Sequence, residues 1–250
     1  MTQDQSVTRQ ITDTLRRQIS DGTRGPGALL PSEPELAREY GVNRQTARTA
    51  LQALEREGLV VVRPRRGRIV RSTRRLLWHL SEFERPDHTV LTTSDAWETD
   101  IESQGHDPTR QDLNVEKIKP PADIARRLKL NPETDVCVVR RHIRYIDGKP
   151  AIISDDYFDE RIVRGTELAE PEDTTREDIL KEAGYEQVYD IDEIITRMPT
   201  PAEIMKLNIL TGTPVAEHIR TGYTATNQAV RVMVSIIPGD TLILRYAIPT

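Results

Sequence analysis

One cysteine, Cys137, stands in a chain of 250 residues. A lone thiol excludes an internal disulfide framework and a zinc site built on paired cysteines, and it suits a reducing cytosol. Aromatic residues are scarce, at 4%. No apolar run approaches the roughly 20 residues that a membrane-spanning helix needs, and Met1 to Arg17 is polar, without the apolar stretch of a secretory signal. These absences point to a cytoplasmic chain with no membrane partner. Catalytic signatures are missing as well: there is no nucleophile elbow, phosphate-binding glycine loop, dinucleotide fingerprint or zinc-binding His/Glu spacing. The five histidines, at 79, 88, 106, 142 and 218, are scattered. Asp155 and Asp156 alternate sides on a strand and cannot form one acid–base pair. The sequence therefore predicts no catalytic residue, no metal ligand and no cofactor.

What is present is charge, unevenly placed. Residues 1–75 hold 15 arginines and no lysine against 8 acids, a net +7, while the remainder holds 20 bases against 32 acids, a net −12. A basic end on an acidic body points to a polyanion partner, although a solvated basic face would also account for the charge alone.

The basic end reads as helix, helix, turn, helix and hairpin. Val7, Ile11, Leu15 and Ile19 make one apolar stripe on a helix over Thr8–Asp21, with Gly22 as its C-cap. Gly25-Pro26-Gly27 forces a loop. Ser32 and Glu35 have the spacing of a capping box, with Pro34 in the first turn, and Gly41 ends that second helix. Asn43 caps a third helix, in which Ala47, Ala50, Leu51 and Leu54 form the core face. Its other face offers Arg44, Gln45, Arg48 and Gln52. Val60–Arg63 and Arg68–Val70 read as two short strands around a turn at Pro64–Gly67. Arg63, Arg65, Arg66 and Arg68 crowd that hairpin, a repulsion that a polyanion would relieve.

The motifs Leu30-Pro31-Ser32-Glu33, Glu35-Leu36-Ala37, Gly41-Val42, Arg44, Thr46, Arg48, Ala50-Leu51, Leu54, Glu57-Gly58-Leu59 and Gly67 resemble the winged helix-turn-helix of the GntR family of bacterial transcription regulators, over about Gln10 to Arg71. The resemblance implies that Arg44 and Arg48 contact double-stranded operator DNA, that Thr46 contacts phosphate or base, and that Gly67 enters the minor groove. Pro34 departs from the pattern, since relatives often carry arginine there. Base-edge pairs are worth about 1–3 kcal/mol of discrimination each, and phosphate contacts add affinity without sequence information. On that basis Arg44, Gln45 and Arg48 are assigned to bases. Ser32, Asn43, Thr46, Arg65, Arg66 and Arg68 are assigned mainly to the DNA backbone.

The acidic body carries a faint repeat. Pro121-Ala122-Asp123-Ile124 returns as Pro201-Ala202-Glu203-Ile204. A short helix, a polar loop, a strand, a turn and a return strand follow each copy: Val136–Tyr145 and Ala151–Tyr157 in the first, Val215–Tyr223 and Ala229–Ile237 in the second. Thr174–Ala183 reads as a helix between them, and Thr200 with Glu203 as another capping box. These elements predict an α+β unit with a mainly antiparallel, pseudo-symmetric sheet. The order Pro-Ala-Asp-Ile, Asp147-Gly148-Lys149-Pro150, Tyr157 and Gly212-Thr213-Pro214 resembles the UTRA effector-binding domain of the HutC subfamily, a chorismate-lyase-like fold. The expected layout is a winged helix-turn-helix over 1–73, a linker over 74–90 in which Trp78 and Leu80 can dock on either domain, and a UTRA-like domain over 91–250.

By that resemblance His142, Arg144, Ser154, Tyr157 and Arg231 line an effector pocket, and the domain supplies a homodimer interface. Relatives that bind sugar phosphates carry arginine at His142, glutamate at Ser154 and Arg231, and tyrosine at Ile237. The exchange of acids for a hydroxyl and a cation implies a different, unidentified small-molecule effector, anionic or less hydroxylated. The bland alternative is that His142 and Arg231 pair with carboxylates such as Asp155. The function expected is a repressor released from an inverted-repeat operator by that effector; the alternative is a DNA-binding regulator that senses no metabolite.

Overall fold

The computed structural model describes residues 3–63, 65–71, 75–80, 96–171, 178–210 and 212–247. Pro64 of the expected wing turn, the linker residues beyond 80, the start of the helix expected at Thr174, and Thr211 lie outside them. The chain divides into two compact units, Met1–Arg74 with Leu210–Thr213, and Arg75–Ile209 with Pro214–Thr250.

The first unit contains helices α1 (Gln3–Ser20), α2 (Glu33–Tyr40) and α3 (Arg44–Arg56), then strands β1 (Val60–Arg63) and β2 (Gly67–Val70). The apolar stripes close on one another: Ile11, Leu15, Leu36, Ala47, Leu51 and Leu54 are buried in one cluster, with Val7 and Ile19 packed at its margin. Truncating a leucine at such a site costs about 2–5 kcal/mol. Gly41, at φ +63°, ends α2 in the left-handed conformation that a glycine adopts without strain. The β1–β2 hairpin is antiparallel, with Arg63 opposite Gly67. Leu29 bridges to Ile69, and the Leu30 and Arg68 backbones bond at 2.8 Å, so the wing carries a third short edge.

The second unit begins at β3 (Leu76–His79), read above as linker, which pairs in parallel with β10 (Leu242–Arg245). Trp78 and Leu80 are buried here, in a cluster with Trp97, Ile101, Ile152 and Ile237. Helix α4 (Ala96–Ser103) precedes the body of the fold. That body is built twice: β4 (Pro108–Ile118), α5 (Ala122–Leu128), β5 (Cys137–Ile146) and β6 (Lys149–Asp159), then β7 (Tyr189–Arg197), α8 (Pro201–Leu207), β8 (Val215–Tyr223) and β9 (Ala229–Pro238). Between the copies lie the short helices α6 (Glu160–Val163) and α7 (Ile179–Glu182) and a 3-10 turn at Glu167–Ala169.

The six strands order as β4-β5-β6-β9-β8-β7, all antiparallel. The order is palindromic, so a local two-fold relates the copies through the β6–β9 seam. Both repeat helices end on a left-handed cap, at Lys129 and Asn208. The repeat is thus one strand longer per copy than the sequence suggested, because β4 and β7 complete it. Residues of α5 and α8 join the apolar clusters of one sheet face, with Val139, Tyr157 and Val232 around Ile124 and with Ile143, Val215 and Ile236 around Leu207. The opposite face is covered at one end by Trp78, Trp97 and Ile101 and at the other by Ile162, Leu168 and Ile179. Polar residues occupy the middle of that second face.

Candidate functional site

Two sites emerge, one in each unit. In the first, the Asn43 Oδ1 accepts the Thr46 backbone N–H at 2.8 Å and the Thr46 hydroxyl at 3.1 Å. This cap fixes the first turn of α3. Because Ala47, Ala50, Leu51 and Leu54 are fully buried, the side chains at 44, 45 and 48 are turned outward, and Arg44, Gln45 and Arg48 are all exposed. The arrangement presents two guanidinium forks and an amide at the start of a helix, where the backbone dipole also favours an anion. Thr46 differs from expectation: it is 7% exposed and its hydroxyl serves the cap. At α2, the Glu35 carboxylate accepts both the Ser32 N–H and the Ser32 hydroxyl at 2.7 Å. The backbone and hydroxyl bonds from Ser32 hold that carboxyl below its usual range.

At the wing, Arg63, Arg65, Arg66 and Gly67 are exposed. Arg65 takes φ +63° and Gly67 φ +90°, which turns the tip sharply. Arg68 corrects the four-cation reading. Its guanidinium bonds Glu33 of α2 at 3.1 Å and also Glu55 of α3. Two carboxylates of the chain, rather than a polyanion, compensate it. Arg68 ties the wing to both helices of the helix-turn-helix, leaving three outward arginines around the tip.

In the second unit, register decides which residues share a face. His142 stands opposite Ser154, Ser154 opposite Ser235, and Ser235 opposite His218. These four form one buried row across the sheet, and the two serine hydroxyls are 3.3 Å apart. The histidines that looked scattered therefore include two on one line. Arg144 lies on the same face with its guanidinium carbon 4.9 Å from the Trp97 ring centroid, and Trp78 meets His218 edge to face at 5.9 Å. Arg231 is also on this face and donates to Asp156 at 2.7 Å. This is the carboxylate pairing weighed above for Arg231, made with Asp156, the neighbour of Asp155. Asp155 instead points to the helix-covered face, where it takes Arg141 at 3.3 Å and the Tyr157 hydroxyl at 3.2 Å.

Tyr157 is the clear correction. It stands between Val139 and Val232 in the register and is buried beneath α5, on the side away from His142, Arg144, Ser154 and Arg231. Burial, reinforced by the Asp155 charge, pushes its hydroxyl up to about 12.

Residues that the sequence reading passed over complete the face. Arg220 donates to both oxygens of Asp192 at 2.8 Å, and the His218 Nε2 is 3.0 Å from the same carboxylate. Burial raises the Asp192 carboxyl, but these bonds outweigh it and hold the group well below the usual carboxylate range. Asp190, beside it, is pushed up by burial. The missed signal was a repeated tripeptide, His142-Ile143-Arg144 and His218-Ile219-Arg220. Among the described residues no cluster of three metal-ligating side chains occurs, and no helix is long and apolar enough to cross a membrane.

Comparison with known proteins assigns each unit to a known domain. Residues 7–70 match the gntR family of bacterial regulatory proteins, and residues 103–242 match the UTRA domain. An uncharacterized HTH-type transcriptional regulator of Streptomyces coelicolor is 27% identical over 248 residues, 95% of this chain and 91% of its own length. MngR of Escherichia coli, the mannosyl-D-glycerate transport/metabolism system repressor, is 27% identical over 227 residues, 86% and 84% of the two chains. Among solved structures, one of a GntR-family regulator aligns with TM-score 0.69 at 20% identity over 97% of each chain. PhnF from Mycobacterium smegmatis aligns at 0.57 and 20% identity, over 96% of this chain and 99% of that one. At such identities these structures speak for the fold. The domains are those of regulators rather than enzymes: the chain belongs to the GntR family of DNA-binding transcription regulators, with a UTRA effector-binding domain behind its winged helix-turn-helix.

Proposed function

We propose that this regulator is a cytoplasmic homodimeric repressor of the HutC type, released from an inverted-repeat operator when a small molecule occupies the polar face of its UTRA domain. The observation that carries the DNA half is the outward triplet Arg44, Gln45 and Arg48 on a helix whose opposite side is sealed. These three read base edges. Arg65, Arg66 and Gly67 approach the backbone and minor groove, and Ser32 and Asn43 hold the ends of α2 and α3 against phosphate. Repression is the role named for the Escherichia coli relative. His142, Arg144, Ser154 and Arg231 supply the effector face, and Tyr157 is left out of it.

The dimer has its own support. Strand β7 is an outer strand of the sheet, and Ile191, Ile194 and Ile195 on it are each about half exposed. An edge strand that leaves three isoleucines half exposed invites pairing with another strand. A second copy of the chain satisfies it and matches a two-fold operator. The test is a footprint on DNA flanking the gene. A protected inverted repeat, lost with Arg44→Ala, is the expected result. Failure to bind any fragment at low ionic strength would overturn the reading.

A further inference from the structure

The short edge that residues 28–30 add to the wing carries an apolar side chain to its tip. Leu29 bridges to Ile69, and the backbone bonds beside it run from the Val70 N–H to the Ala28 carbonyl and from the Leu30 N–H to the Arg68 carbonyl, both at 2.8 Å. Ile69 stands opposite Val61, and Gly67 opposite Arg63. Residues paired across a ladder share a face, as do residues two apart on a strand. Leu29, Ile69, Gly67 and Arg63 therefore lie on one face of the wing, and Arg68 with its two glutamates lies on the other. Leu29 reaches along its face to the tip: a side chain placed on Gly67 would meet the Leu29 Cδ1 at 3.4 Å. Yet Leu29 stays 58% exposed.

Its surroundings are cationic. Arg63, Arg65 and Arg66 are exposed around the tip, and Arg24 donates to the Leu29 carbonyl at 3.3 Å. An apolar protein surface would desolvate those guanidinium groups at a cost. The minor groove of a duplex has the complementary form, with phosphates along its rims and sugars and base edges inside.

We propose that Leu29 enters the minor groove beside Gly67 and selects A·T pairs there by excluding the guanine N2 amino group. This rests on the proposed placement of the wing tip in that groove. A·T and T·A show only acceptors on the groove floor, and a G·C pair adds the protruding amino donor. Against a leucine that donor loses water and gains no acceptor. Gly67, without a side chain, leaves the space that Leu29 fills.

Inosine isolates the amino group, since an inosine·C pair is a G·C pair without it. The full chain first selects its site from a random duplex pool. Each A·T pair flanking the bases read by α3 is then replaced by G·C or by inosine·C, and Kd is measured by competition. At the wing position G·C should weaken binding at least about fivefold, and inosine·C should restore it. Leu29→Ala should bind the two alike. Leu29→Gln, whose amide oxygen accepts from the amino group, should prefer G·C to inosine·C. Arg66→Ala should weaken both equally. A G·C penalty that survives Leu29→Ala overturns the proposal, as does an Leu29→Ala variant that loses affinity for both pairs and keeps their ratio, the mark of a merely structural side chain. If the unaltered protein binds G·C and inosine·C alike at every flanking position, the salt slope of Arg66→Ala decides what has failed. A reduced slope keeps the wing on DNA and overturns the leucine alone; an unchanged slope removes the wing from the groove and overturns the parent reading with it.

Discussion

Ser154 and Ser235 face each other at the centre of the sheet with their hydroxyls 3.3 Å apart, one from each copy of the repeat. Around that pair the chain sets His142 and Arg144 on one side and His218 and Arg220 on the other. On the second side the row ends at Asp192, whose carboxylate takes the Arg220 guanidinium.

Arg44→Ala and Arg48→Ala should each remove about 1–3 kcal/mol of discrimination between operator and altered operator. Both side chains are exposed opposite a sealed core, so Tm should not change. Competition binding with base-substituted operators measures the effect, and undiminished preference would count against α3 as the reading helix.

Two wing arginines should behave differently. Arg66→Ala should weaken binding on all sequences and reduce the salt slope by about 1. Arg68→Ala should lower both affinity and Tm without changing that slope, because Glu33 and Glu55 hold its guanidinium. Binding measured over a series of salt concentrations separates the two; a reduced slope in both would return Arg68 to the phosphate contacts.

Asn43→Ala should cost about 0.5–2 kcal/mol of stability, the usual range for a lost N-cap, since its Oδ1 serves both groups of Thr46. Urea unfolding gives the number. Asn43→Ser should recover most of it.

Asp192 sets a pH dependence. Its folded carboxyl titrates below the unfolded value of 3.8, so the stability it contributes is fully present above that value and is lost as pH falls through the lower folded one. Asp192→Asn should therefore lower Tm at pH 7 and flatten the acid limb of the stability curve below about pH 4. An acid limb identical to that of the unaltered protein would show that the Arg220 and His218 bonds are not coupled to folding.

Ile191→Lys with Ile195→Lys should give a monomer by sedimentation, with reduced operator affinity and little change in Tm, because both side chains are already half exposed on β7. A dimer that persists would place the subunit contact elsewhere.

The first unit was legible because its signals are local. Ser32, Gly41 and Asn43 announce helix ends, and the spacing of Ala47, Ala50, Leu51 and Leu54 announces a buried side. Arg68 was misread because its partners lie 35 and 13 residues away. In the second unit the hairpins were visible but β4 and β7 were not. Both are polar strands, and Tyr189–Arg197 buries little of its apolar side, so hydrophobic alternation gave no contrast. Tyr157 could have been placed by parity alone. It lies three residues from Ser154 on one strand, and side chains at odd spacing point to opposite faces. Arg231 needed the β6–β9 register, which no local pattern carries.

The seam between the copies spans only Ile153–Tyr157 against Ile236–Val232, about half the length of the ladders flanking it. Fewer rungs mean less resistance to shear, and the shortest ladder of the sheet lies on its local two-fold. A molecule lodged there would act as a wedge or a staple, and its grip would register as a change in pitch between two otherwise stiff lobes.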